Sequence, residues 1–172
     1  MKSSNFAFAV WLAIGMSASA VAQTTFSFSG LQWGENVDQV NTKLRTAGFS
    51  GCALIERIKC KLASECMCNF NGPSIRNGWA TFKDNKLDQV SVNVADLAGT
   101  TSALRSKYGP PLPKLPVKSQ DTLAEIEEVL TSRWKSQYGE TLQIGHTGHV
   151  EYRSGEKVRA QEDRVKRESS VF

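Results

Sequence analysis

Four cysteines, Cys52, Cys60, Cys66 and Cys68, crowd into seventeen residues of a 172-residue chain. No other feature constrains the fold as much, and its meaning depends on the compartment. Residues 1–5 carry one lysine, Lys2, and no acid, and residues 6–15 are a nearly unbroken apolar run. Small residues follow at Ala18-Ser19-Ala20 and Ala20-Val21-Ala22. This three-part pattern is that of a secretory signal peptide cleaved near Ala22, which directs the chain to the bacterial periplasm or the exterior. The apolar run is half the length that a membrane span requires. The first cysteine is Cys52, so no lipid-accepting cysteine stands at the cleavage point.

In an oxidising compartment an even set of cysteines reads as disulfides. A Cys66–Cys68 bridge would close an unusually tight ring. Two pairings remain: Cys52–Cys68 with Cys60–Cys66, or Cys52–Cys66 with Cys60–Cys68. Neither fits one regular hairpin, so the chain between Gly51 and Ile58 must be irregular. The spacing lacks the paired C-x2-4-C units of zinc sites, and the chain has only two histidines to add, so no metal or other cofactor is expected.

Residues 25–30 read as a short strand. Residues 36–49 form an amphipathic helix: Val37, Val40, Leu44 and Ala47 share a stripe, Asn36 caps the start, and Gly48 supplies the left-handed stop with Phe49 folding back onto Leu44. Residues 54–62 alternate, which predicts a strand with Leu54, Ile58, Cys60 and Leu62 inward and Arg57, Lys59 and Lys61 outward. A second strand carries Cys66, Cys68 and Phe70 on one face, and Asn71-Gly72-Pro73 is a turn. Residues 79–83 and 87–94 form a hairpin about 84–86, with Val90, Val92 and Val94 inward and Gln89, Ser91 and Asn93 facing water.

A helix over 101–108 ends at Gly109, and Pro110 and Pro111 prevent its continuation into a stiff segment reaching Pro116. Strands follow over 127–135, 141–145 and 149–153. A three-residue loop, His146-Thr147-Gly148, aligns Ile144 with Val150 and keeps the apolar residues of both strands on one face. Beyond Gly155 the chain is highly charged with a thin apolar stripe, which predicts a solvated helix or frayed tail over 155–172.

These elements predict an α+β domain over 23–154: an antiparallel sheet with helices packed on one face, arranged as two helix-then-strands repeats over 31–95 and 97–153. The composition, 40% hydrophobic and 22% charged, is that of an ordinary globular protein. The formal charge of +4, with Lys2 inside the segment to be removed, is too small for a nucleic-acid partner.

Several motifs are similar to those of two groups of small exported bacterial proteins, the beta-lactamase-inhibitor-like proteins and the small lipoproteins of outer-membrane assembly. These are Trp33-Gly34 opening a helix with Val37, Val40 and Leu44, Phe82-x-x-x-x-Leu87-x-x-Val90, and Lys107-Tyr108-Gly109-Pro110. The resemblance implies helices buried against an antiparallel sheet whose exposed face binds another protein. The chain departs from the lipoprotein group in lacking an acylated cysteine, and from both groups in its cysteine cluster. No site residue carries over.

No G-x-S-x-G elbow or phosphate-cradling loop occurs, and the oxidised cysteines are not nucleophiles. His146 and His149 fall in a turn and at a strand start, on no shared face. The function expected is therefore a non-catalytic module that binds another exported or envelope protein, as an inhibitor or assembly accessory, with no membrane span in the mature chain. The candidate contact residues are Arg57, Lys59, Lys61, Trp79 and Trp134, because Trp and Arg are enriched at interface hot spots. The alternative is a small periplasmic hydrolase, which requires a cleft with a perturbed carboxylate or histidine.

Overall fold

The computed structural model describes residues 25–113 and 130–169. The expected leader at 1–22, the expected strand start at 127–129, the end of the proline segment and the last three residues of the tail lie outside them.

Helix α1 spans Val37–Thr46. The Asn36 carboxamide accepts from the amides of Asp38 and Gln39, and the Gln39 side chain accepts from Asn36 N, so the free first-turn donors are met from both directions. At the other end Gly48 has φ +86°, Phe49 N donates to Leu44 O and Gly48 N to Arg45 O. That pair of bonds closes the helix as the glycine stop requires.

The first correction concerns 54–62. Leu54–Leu62 is not a strand but a second helix, α2. The apolar residues at 54, 58 and 62 are four apart, a spacing that suits a helix as well as an alternating strand. What decides is the return of the chain to Cys66 on the next element. Glu56 anchors the first turn by accepting from Ala53 N, and the same carboxylate accepts from Asn69. The disulfides are Cys52–Cys68 and Cys60–Cys66. The helix therefore runs antiparallel to the following strand and is bolted to it at both ends.

Strands β1 (Glu65–Gly72), β2 (Ile75–Lys83) and β3 (Lys86–Val94) form a meander. The β2–β3 turn is Asp84-Asn85, both at positive φ, the geometry whose twist matches two antiparallel strands. Helix α3 covers Leu97–Tyr108, one turn earlier than the apolar spacing indicates, because Asp96 caps it through Gly99 N. Strands β4 (Ser132–Lys135), β5 (Thr141–Ile144) and β6 (His149–Arg153) form a second meander. Ile144 pairs with Val150, as the three-residue loop requires. Residues 25–30 are turn and extended chain rather than a strand of the sheet.

The six strands make one antiparallel sheet in the order β1-β2-β3-β6-β5-β4. Each meander runs from an outer edge inward, and the two meet where β3 pairs with β6. One face is packed: Cys68, Phe70, Ala80, Phe82, Val90, Val92, Leu142, Ile144, Val150 and Tyr152 are all buried. Val37, Val40 and Leu44 of α1 and Leu104 of α3 join that core, with Trp33 packed against it. Phe28, Phe49, Phe70 and Tyr152 form an aromatic cluster. The protein is thus α+β with helices packed against an antiparallel sheet.

The charged tail is ordered as helix α4, Gly155–Ser169. Ser154 fixes its start, donating to Asp88 and accepting from Lys157 N, and Lys157 pairs with Asp88. Val158 is buried, whereas Val165 is 54% exposed, so the helix is held at its first turns and solvated beyond them. Among the described residues no helix is long and apolar enough to cross a membrane.

Candidate functional site

The open face of the sheet is polar, and its order comes from one buried carboxylate. Glu151 on β6 is 6% exposed and accepts from Gln89 on β3, Gln143 on β5 and the guanidinium of Arg153. Alternation puts all four side chains on the same face, and strand pairing sets Ser91 and Gln143 beside Glu151. Gln89 also donates to Ser91 Oγ, and Arg153 reaches Gln161 of α4. A buried carboxylate needs such saturation, and once saturated it locks its partners into single rotamers.

Beside this network lies an aromatic pair. Trp79 on β2 stacks on His149 on β6, with ring centroids 5.3 Å apart and 26° between planes. His149 Nδ1 lies 3.1 Å from Asn93 Oδ1, and Asn93 Nδ2 donates to Asn77. Trp79 is half-buried, with His149 stacked on its ring. The result is a flat platform, not a cleft: one indole set in ordered polar groups.

The other expected contact residues fall elsewhere. Arg57, Lys59 and Lys61 do not form a stripe on the sheet; they lie on α2, where Arg57 and Lys61 both pair with Asp38 of α1. Those two cations hold the Asp38 carboxyl below its usual range, Lys61 more than Arg57, and tie α2 to α1. Lys59 points to the rim of a groove beside β1. Trp134 is 3% exposed and its indole donates to Gly109 O, which makes it a core residue that joins β4 to the end of α3. Only Trp79 of the five stands on the open face. The four cysteines are all disulfide-bonded.

Two features had little warning in the sequence. The His149–Trp79 stack joins residues seventy positions apart, and only strand order brings them together. The second is an apolar ridge on α2, where Leu54, Ile55, Ile58 and Leu62 are all exposed and only Cys60 is buried. Among the described residues no group of three or more His, Cys, Asp or Glu side chains could hold a metal ion, and His146 stays in its exposed loop.

Comparison with protein-family models, with curated proteins and with solved structures found no match to the chain.

Proposed function

We propose that this protein is an exported, non-catalytic module of the bacterial periplasm or envelope that binds another exported protein through the open face of its sheet. The observation that carries the reading is the Trp79–His149 pair on a platform already ordered by Glu151. An indole is the side chain most often found at the energetic centre of an interface, and a surface whose rotamers are already fixed loses little entropy on binding. The two disulfides fit an oxidising compartment, and the leader at 1–22, cleaved near Ala22, accounts for arrival there. Inhibition of an enzyme and service in envelope assembly both belong to this class.

The test is affinity capture from periplasmic extract with the oxidised, processed protein as bait. One partner retained in stoichiometric amount is expected, and Trp79→Ala should weaken its capture by about 2 kcal/mol, roughly thirtyfold, while leaving the melting temperature nearly unchanged. No retained protein, or one captured equally by the variant, would refute the platform reading.

A further inference from the structure

Helix α2 is turned inside out. An ordinary surface helix buries its apolar stripe and shows its charges to water. At about 100° per residue, Leu54, Ile55, Ile58 and Leu62 fall within one arc of roughly 100°, and Cys60, the one buried residue of the helix, stands almost opposite its centre. The apolar stripe therefore points away from the body of the protein: Leu54 is 65% and Leu62 82% exposed. The two disulfides make this arrangement possible. Cys52–Cys68 lies just before the helix and Cys60–Cys66 within it, so covalent bonds hold α2 where an apolar face would otherwise have to.

The charges of α2 are sorted around that stripe. Lys59 follows it on one side, and Lys61, with Arg57 behind it, borders it on the other. Lys59 is exposed and unpaired among the described residues. Lys61 reaches Asp38 at 2.6 Å, and its side chain is still half exposed. The acids stay off the stripe. Glu56 is turned toward β1, where it accepts from Asn69, and Asp38 lies on α1 between Arg57 and Lys61. Glu65 sits on the sheet face opposite Cys66.

We infer that α2 lays this stripe on an anionic lipid bilayer, with Leu54, Ile55, Ile58 and Leu62 at the acyl boundary and Lys59 and Lys61 among the phosphates. A helix whose aliphatic face is bordered by lysines is the kind that lies in a membrane interface. Lysine stems run along such a face and place their ammonium groups at the headgroups. A protein partner matches the same residues less well. Protein interfaces favour Trp, Tyr and Arg and are depleted in Lys, whereas the stripe is an outward aliphatic ridge with no aromatic anchor. A free amphipathic peptide loses entropy by folding as it binds; α2 is already helical and bolted in place, so the bilayer meets a preformed face. Because Cys60 reaches Cys66 on the packed side of β1, the ridge and Trp79 lie on opposite sides of the sheet, and a bilayer at α2 leaves the platform open.

Co-sedimentation of the oxidised, processed protein with lipid vesicles tests this, since the apolar run at 6–15 is then absent. Binding to phosphatidylglycerol vesicles is expected, about tenfold or more tighter than to phosphatidylcholine vesicles and weakening as salt rises. Lys59→Glu should weaken binding to phosphatidylglycerol by roughly thirtyfold, since each cation near an anionic surface contributes about fivefold and the reversal counts twice. Leu62→Ser should weaken it by about tenfold. Both side chains are exposed, so the melting temperature of each variant should stay near that of the parent. Trp79→Ala should bind vesicles as the parent does, which separates this surface from the platform. A protein that stays in the supernatant with phosphatidylglycerol, or one whose binding is indifferent to Leu62→Ser, overturns the inference. So does a chain that binds no vesicle and instead captures a protein through the ridge.

Discussion

Removing the Cys60–Cys66 bridge should release α2 while leaving the rest of the molecule folded. The helix is nine residues long, below the length at which isolated helices persist in water, and Cys60 is its only buried residue. Its other ties are the ion pairs of Arg57 and Lys61 with Asp38, each partly exposed, and the bonds of Glu56 to Asn69. Exposed pairs of this kind contribute about 0–1 kcal/mol each. The bridge closes a loop six residues apart in sequence. By loop-closure entropy such a ring stabilises by about 2 kcal/mol, more than either ion pair secures. In the Cys60→Ala/Cys66→Ala variant, hydrogen exchange at the α2 amides should approach that of unstructured chain. Amides of β3 and β6, which exchange by global opening, should lose no more than the roughly 2 kcal/mol that urea denaturation reports. If α2 keeps its protection in that variant, packing against β1 holds the helix and the entropic account is wrong.

Three further changes test other levels of the fold. Gly78 lies opposite Phe70, and a Cβ there would stand 2.5 Å from the ring, which is buried and cannot swing aside; Gly78→Ala should cost about 1–3 kcal/mol in chemical denaturation. Asn36→Ala removes the acceptor for two first-turn amides of α1 and should cost about 1 kcal/mol, whereas Asn36→Ser should recover most of it. Burial holds the Tyr152 hydroxyl neutral in the fold, far above its ordinary value of 10.0, while the unfolded chain ionises near that value. Its contribution is therefore complete below pH 10 and falls as pH rises beyond it, by up to about 1.4 kcal/mol per pH unit. Tyr152→Phe should flatten the alkaline limb of the stability–pH curve, and an unchanged limb would show that another group governs it.

Most of the fold was legible where one local signal agreed with one long-range constraint. The α1 stripe, its asparagine cap and its glycine stop are written within fourteen residues, and the structure reproduces them except at Ala47, which is exposed just past the helix end. The β5–β6 loop could be registered because only one alignment keeps Ile144, Val150, Leu142 and Tyr152 on one face. Residues 54–62 misled because their apolar spacing satisfies both periods, and the deciding constraint, the reach from Cys60 back to Cys66, is tertiary. The reading that no single hairpin accommodates both bridges already contained the contradiction. The basic stripe failed with the strand that carried it. Gln89 and Asn93 were foreseen on the open face, whereas Ser91, expected to face water, is buried beside Glu151; the organisation of the face was not legible, since Glu151, Gln143 and His149 belong to strands from the other half of the chain. Trp134 shows the converse: a tryptophan read as a contact residue is held in the core by one bond from its indole.

The meeting of the two meanders at β3 and β6 also sets a hazard during synthesis. A chain made from its N-terminus completes α1, α2 and the first meander, with both disulfides, before β6 exists. Until His149–Arg153 docks, β3 is an edge strand carrying Val90, Val92 and Val94, covered only at its start, where Gly34 and Glu35 bond Leu87. Its alternating valines make a sticky template, and any neighbouring nascent chain presents the same one. The half-built protein is thus most prone to aggregate just when its cysteines are already secured. A holdase chaperone that shields β3 should raise the yield of folded protein more than a disulfide isomerase does.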